Sequence, residues 1–254
     1  MEKVTRSLVD PALRVSYLRD FMATADLTDL AYALDALCAR SEQAEEPARE
    51  VLLSVVDALN APTAKDLVQR LREEAAGRSL LALERLVRQP LGRVVETDGK
   101  PVDPREERLP DYGRGRPLTL GERKSLARRP DRSMMDRLFG DPHPDVIRGL
   151  LRNPKVTEDD VVRLAARRPG RAEILAEVAR SPKWVHRGRV RLALLLNPST
   201  PPELAVPITG LLVRQELKLV AEATLVPDAV RALCLEHLER RPPTPDEEDD
   251  PTIQ

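Results

Sequence analysis

Apolar side chains along the first ninety residues recur at steps of three and four, the spacing that lines one face of a helix. Leu27, Leu30, Ala31, Leu34, Leu37 and Cys38 form one such stripe behind Asp26 and Asp29, which suit a helix start. Val51, Leu52, Val55, Val56 and Leu59 form a second, and Leu67, Leu71 and Ala75 a third that Thr63 and Asp66 would open. Leu80, Leu81, Leu83, Leu86 and Val87 make a fourth, which ends near Pro90. Helices joined by short polar turns pack as antiparallel neighbours, so residues 1–90 are expected to form an N-terminal helical bundle. From Gln89 to Pro117 the period gives way to prolines, glycines and charges. A stretch that long without an apolar pattern reads as a linker or surface strap, and 91–117 marks the expected domain boundary.

After Leu118 the period returns in short runs separated by Pro and Gly. They predict helices over about 120–129, 131–139, 142–152, 157–168, 171–180, 183–196, 201–209, 212–222 and 227–239. Three of the starts share one pattern: Thr119 with Glu122, Thr157 with Asp160, and Thr200 with Glu203 each place a hydroxyl three residues before a carboxylate. That spacing is a capping box, in which the hydroxyl takes an orphan backbone N–H and the carboxylate reaches back to the cap. The first two Thr are 38 residues apart and the last two 43. Ala127-Arg128-Arg129-Pro130 recurs 39 residues later as Ala166-Arg167-Arg168-Pro169, and Asn153-Pro154 recurs 44 later as Asn197-Pro198. Intervals of about 40 residues are those of helical-repeat arrays, whose short helices shelter their apolar sides on the next repeat.

The run Asn153-Pro154-Lys155-Val156-Thr157-Glu158-Asp159-Asp160-Val161-Val162-Arg163-Leu164-Ala165, echoed from Asn197 to Val206, resembles the bacterial leucine-rich repeat variant proteins and the wider HEAT-like α-solenoids. The resemblance covers residues 118–238. It implies a curved, right-handed stack of helices used as a binding surface. The expected fold is therefore all-α: an N-terminal helical domain, 1–90; a strap, 91–117; a right-handed α-solenoid, 118–240; and a disordered acidic tail, 241–254. Some leucine-rich repeat variant proteins carry a cysteine cluster for an iron–sulfur centre. This chain has only Cys38 and Cys234, so no cofactor is carried over.

Composition narrows the chemistry. Aromatic residues make up only 2% of the 254, so the core is expected to be Leu, Val, Ala and Ile. Two isolated cysteines support neither a disulfide framework nor a zinc site, and they point to a reducing, cytoplasmic compartment. No apolar run is long enough for a membrane span, and the N-terminus lacks the basic and apolar regions of a signal peptide. His143, His186 and His237 show no metal-ligand spacing and read as non-catalytic. Asp159 and Asp160 read as cap and macrodipole residues rather than a catalytic dyad. Gly113-Arg114-Gly115-Arg116-Pro117 lacks the strand and the Lys-Ser/Thr end of a phosphate loop. No catalytic residue and no metal ligand is assigned, and a non-enzymatic role is expected.

Charge supplies the functional clue. The net charge is −1, yet residues 118–200 carry 18 basic and 10 acidic side chains while residues 201–254 carry 5 and 11. Arg180, Lys183, Arg187 and Arg191 are spaced to form a ridge along one helix, with Trp184, Gly188, Leu192 and Leu195 on its buried side. Arg163, Arg167 and Arg171 would line a parallel ridge on the preceding helices, with Arg128, Arg129 and Arg132 one repeat earlier. Arginines at helix C-termini also serve the dipole and the last carbonyls. The expected function is a protein–protein adaptor whose basic face accepts an acidic or helical segment of another protein, with the tail Asp246–Asp250 as an internal competitor. Binding of a nucleic-acid backbone by the same face is the alternative, disfavoured by the scarcity of aromatic residues for stacking. A glycosylase-like enzyme would need an aromatic-lined pocket, for which the repeat half offers only Trp184 and Phe139.

Overall fold

The computed structural model describes residues 1–89, 109–129 and 131–241. Among these the chain forms sixteen α-helices and no strand, so the protein is all-α. No helix of the described residues is long and apolar enough to cross a membrane. The acidic tail 246–250, and most of the strap expected at 91–117, lie outside the described residues.

The chain divides into two compact units, Met1–Leu91 together with Pro202–Gln254, and Gly92–Pro201. The first contains α1 (Glu2–Ser7), α2 (Pro11–Thr24), α3 (Leu27–Glu42), α4 (Glu46–Leu59), α5 (Lys65–Arg78) and α6 (Leu81–Val87). In the second lie α7 (Leu120–Ala127), α8 (Arg132–Leu138), α9 (Pro144–Leu151), α10 (Glu158–Ala166), α11 (Ala172–Ala179), α12 (Pro182–Val185) and α13 (Gly188–Leu195). The last three helices, α14 (Pro202–Thr209), α15 (Arg214–Glu222) and α16 (Asp228–Arg240), return to the first unit. A boundary at 201/202 therefore falls inside the segment 118–240 that the repeat pattern joins. Packing explains it: α14 lies against α6 and α16, and α16 against α15.

In the first unit, α3 is the central element, packed on α4, α5 and α6. Its predicted stripe is the buried one, with Leu30, Ala31, Leu34, Leu37 and Cys38 all nearly inaccessible. Asp26 caps it by accepting from the N–H groups of Thr28 and Asp29 at 2.9 and 3.1 Å. Val51, Leu52, Val55, Val56 and Leu59 of α4 are likewise buried. Thr63 does not cap α5: it falls inside a single 3-10 turn over Pro62–Ala64, and the helix starts at Lys65. Leu81, placed on the apolar stripe by its spacing, is exposed at the first position of α6.

In the second unit the helices run mostly seven to nine residues, too short to be stable alone. Each is held by its neighbours: α7 on α8 and α9, α9 on α11, and α10 on α13. Two of the three expected capping boxes form. Thr119 Oγ1 accepts from Glu122 N while Thr119 N donates to Glu122 Oε2 at 2.9 Å. Asp160 N donates likewise to Thr157 Oγ1, and Thr157 N to Asp160 Oδ2 at 3.0 Å. The third does not form. Thr200 is buried, and its hydroxyl donates to the carbonyl of Leu194 at 2.6 Å rather than opening α14, which starts at Pro202.

Two buried asparagines tie the helix ends of this unit together in the same way. Asn153 donates to the carbonyls of Ala127 and Arg129, at 2.9 and 2.8 Å, and accepts from Lys155 N. Asn197 donates to the carbonyls of Ala165 and Arg167, at 2.7 and 3.0 Å, and accepts from Ser199 N. Helix C-termini leave carbonyls without intrahelical partners, and each asparagine supplies two of them. The matched carbonyls are 38 residues apart, the separation of Thr119 from Thr157 and one less than that of the Ala-Arg-Arg-Pro strings.

Candidate functional site

The seven residues expected to form a basic face all belong to the second unit, but not as two continuous ridges. The helix predicted over 183–196 is broken: α12 ends at Val185, and Arg187, with extended backbone, becomes the N-cap of α13. Arg180 sits at the C-cap of α11, Lys183 within α12, Arg187 at the break and Arg191 within α13. The turn at His186–Arg187 resets the helical phase. As a result the buried side of α13 is Val190, Ala193, Leu194 and Leu195, while Gly188 and Leu192 are half-buried. Arg191 turns inward and donates to the carbonyl of Val185 at 3.0 Å.

Electrostatics separates these cations. Arg163 is exposed, but its guanidinium meets Asp160 Oδ1 at 2.6 Å. That carboxylate is buried and also held by Arg132 at 2.5 and 2.6 Å, so Arg132 above all, with the Thr157 cap, keeps its carboxyl well below the usual range against the effect of burial. Arg167 extends from the end of α10 to the carbonyl of Phe139 at 3.3 Å, where it serves a helix end rather than an acid. Arg171 is exposed at the N-cap of α11.

Lys183 and Arg187 are both exposed. The Lys183 ammonium lies 4.3 Å above the Trp184 ring. Partial desolvation, and then the neighbouring Arg187 charge, lower its pKa. Among the described residues no carboxylate stands at ion-pair distance from either, so the two like charges repel each other without compensation there. Trp184 is buried, and its Nε1 donates to the carbonyl of Leu151 at 2.8 Å, pinning α12 to the end of α9.

Two further acids of the unit, Glu177 and Asp159, are occupied. Arg148 forks onto Glu177 at 2.7 Å for both bonds, and Arg189 pairs with Asp159 at 2.7 Å. His143 accepts from Asp145 N at 3.1 Å through Nδ1, acting as the N-cap of α9.

In the first unit the structure places a charged cluster that spacing alone did not single out. Glu42 and Arg85 are buried and joined by two bonds, Nε to Oε1 at 2.7 Å and Nη2 to Oε2 at 2.6 Å. His237 Nδ1 stands 3.5 Å from Glu42 Oε1, too far for a good hydrogen bond, so Arg85 does most of the compensation. Burial raises the Glu42 carboxyl, and its two basic neighbours outweigh that, bringing it down to about 2. Burial also lowers the pKa of His237, which is therefore neutral near pH 7. One sequence signal marked His237: it follows Leu233 and Cys234 on the buried stripe of α16. Arg88, just past α6, forks onto Glu236 at 2.6 and 3.0 Å and fastens the C-terminal helix α16 to the N-terminal ones.

The chain matches no family model, no curated protein and no solved structure.

Proposed function

We propose that the protein is a non-enzymatic protein–protein adaptor, and that residues 118–200 are a right-handed, HEAT-like α-solenoid presenting a basic face to an acidic segment of its partner. The pair Lys183 and Arg187 carries this reading: adjacent exposed cations with no carboxylate at ion-pair distance among the described residues, one on an α12 that a buried tryptophan anchors and the other at the start of α13. The matched asparagines and capping boxes support the repeat. Arg167 extends the positive surface beside the exposed Arg171, and Arg163, paired with Asp160, contributes less than Arg167. The helices of 202–240 pack with the first unit, so the array proposed here is limited to 118–200.

Reversing the charge at Lys183 and Arg187 tests the reading. The double variant to Glu, if folded as wild type, loses its acidic protein partner. Retention of the same partner at unchanged affinity overturns the proposal. Binding of duplex DNA at about 50 mM salt, lost by about 200 mM, would instead favour the nucleic-acid alternative.

A further inference from the structure

The sequence excludes a backbone phosphate loop at Gly113–Pro117, yet the structure gathers arginine side chains around a cleft there. This segment is anchored rather than draped. Tyr112 is buried, and its hydroxyl donates to Asp141 Oδ2. The same carboxylate is buried and bound by Arg123 Nη1 at 2.6 and 2.7 Å. Burial and the bond to Asp141 both raise the Tyr112 hydroxyl above its usual range, so it stays a donor. Beyond the anchor, Gly113 N donates to Asp111 Oδ1 at 2.7 Å, and the Asp111 carbonyl accepts from Arg137 Nη1 at 2.9 Å. Gly113 and Gly115 both hold left-handed backbone, φ +70° and +67°, which favours glycine. A Cβ on Gly113 would also lie 2.9 Å from the Arg137 guanidinium.

This turn brings Arg114 and Arg116 beside α7, where they line a cleft of about 350 Å³ with Glu122, Ser125 and Arg129. Its charges are uneven. Glu122, the one acid on the wall, already accepts from Arg116 through both oxygens, at 3.1 Å and at 2.5 Å, and from Thr119. Those bonds, Arg116 first, pull its carboxyl down to about 2. Arg114 and Arg129 are exposed and have no carboxylate at ion-pair distance among the described residues. The Arg114 charge also reaches Asp131, whose carboxylate is committed to Ser133 at the start of α8. Two uncompensated guanidiniums, a third held in place by Glu122, and a hydroxyl converge on one small cleft. Planar guanidinium forks match phosphate oxygens in geometry and charge.

We infer that the Arg114–Arg116 turn and the C-terminal part of α7 form a binding site for a phosphate group, free or carried as a monoester. Arg114 and Arg129 supply the net charge, Arg116 a positioned donor edge, and Ser125 a neutral donor. None of these residues is among Arg167, Arg171, Lys183 and Arg187, on which the adaptor reading rests, so this site stands or falls apart from it.

Calorimetric titration of the full chain at constant ionic strength tests the inference, with inorganic phosphate, phosphoserine and acetate as probes. Saturable binding of phosphate but not acetate is expected, and Arg114→Gln and Arg129→Gln each weaken it about tenfold. Arg70→Ala, which removes an exposed charge in the other unit, leaves it unchanged. Tighter binding of phosphoserine identifies a monoester, and equal or weaker binding the free ion. In parallel, the amide resonances of Gly113, Gly115 and Ser125 shift saturably in wild type, a readout that does not depend on either variant folding. No heat and no shifts with either phosphate probe, equal response to acetate, or folded variants that bind as wild type would each overturn the site.

Discussion

Asn153 donates its side-chain amide to the carbonyl of Ala127 across 2.9 Å, joining two sequence markers that lie 26 residues apart. Asn197 repeats the bond with Ala165 at 2.7 Å. An asparagine suits the position because it offers two N–H donors for two helix-end carbonyls and an acceptor for the amide two residues on. Asn153→Ala leaves these buried groups without partners and should cost roughly 2–4 kcal/mol of stability. Asn153→Asp should cost at least as much, since a carboxylate cannot donate to the carbonyls. Chemical denaturation of the two variants checks both. A loss below about 0.5 kcal/mol for both would remove the asparagine from its structural role.

The Glu42–Arg85 pair makes a prediction with a definite pH window. The folded carboxyl lies at about 2 against the usual 4.5, a difference worth about 3 kcal/mol. Because the folded value is depressed, this stabilisation is present above pH 4.5 and is lost as pH falls towards 2. Glu42→Gln should therefore destabilise the protein at pH 7, by about 3–5 kcal/mol since it strands a buried guanidinium. It should also flatten the stability profile between pH 4.5 and 2. Denaturation midpoints across that range measure it.

Asp57 predicts the opposite slope. Its carboxyl is 2% exposed in the last turn of α4, and neither oxygen has a hydrogen-bond partner among the described residues. Burial, eased only by the distant Arg19 charge, raises its pKa from 3.8 to about 7. The folded state therefore keeps a proton that the unfolded chain releases, and stability declines as pH rises from about 4 to 7. Asp57→Asn should abolish that decline and gain on the order of 2–4 kcal/mol at pH 8. Parallel pH profiles for the two proteins would contradict the assignment.

How far the fold could be read in advance depended on how local its causes were. The stripes of α3 and α4, and the boxes at Thr119 and Thr157, arise from side chains within four residues of one another, and they form as their spacing implies. Thr200 has the same spacing and fails: α14 starts only at Pro202, and the buried Thr200 hydroxyl donates to the carbonyl of Leu194. The break at Arg187 was hidden by apolar residues that keep helical period across 183–196. The return of 202–240 to the N-terminal helices, and the partnering of Glu42 with Arg85, depend on tertiary contacts that no local spacing encodes. For the basic residues, spacing located them in one region. The Asp160 that neutralises Arg163 lies three residues before it on α10 and was legible in the spacing, whereas the uncompensated surroundings of Lys183 and Arg187 among the described residues emerge only in the fold.

The adaptor reading meets its most direct test in quantitative affinity capture from the native cell, comparing wild type with a folded Arg167→Glu, Arg171→Glu, Lys183→Glu, Arg187→Glu variant. An acidic protein that binds wild type, is released by about 0.5 M salt and is absent from the variant is the predicted result. Equal recovery of the same partner by both, at any salt, would contradict it.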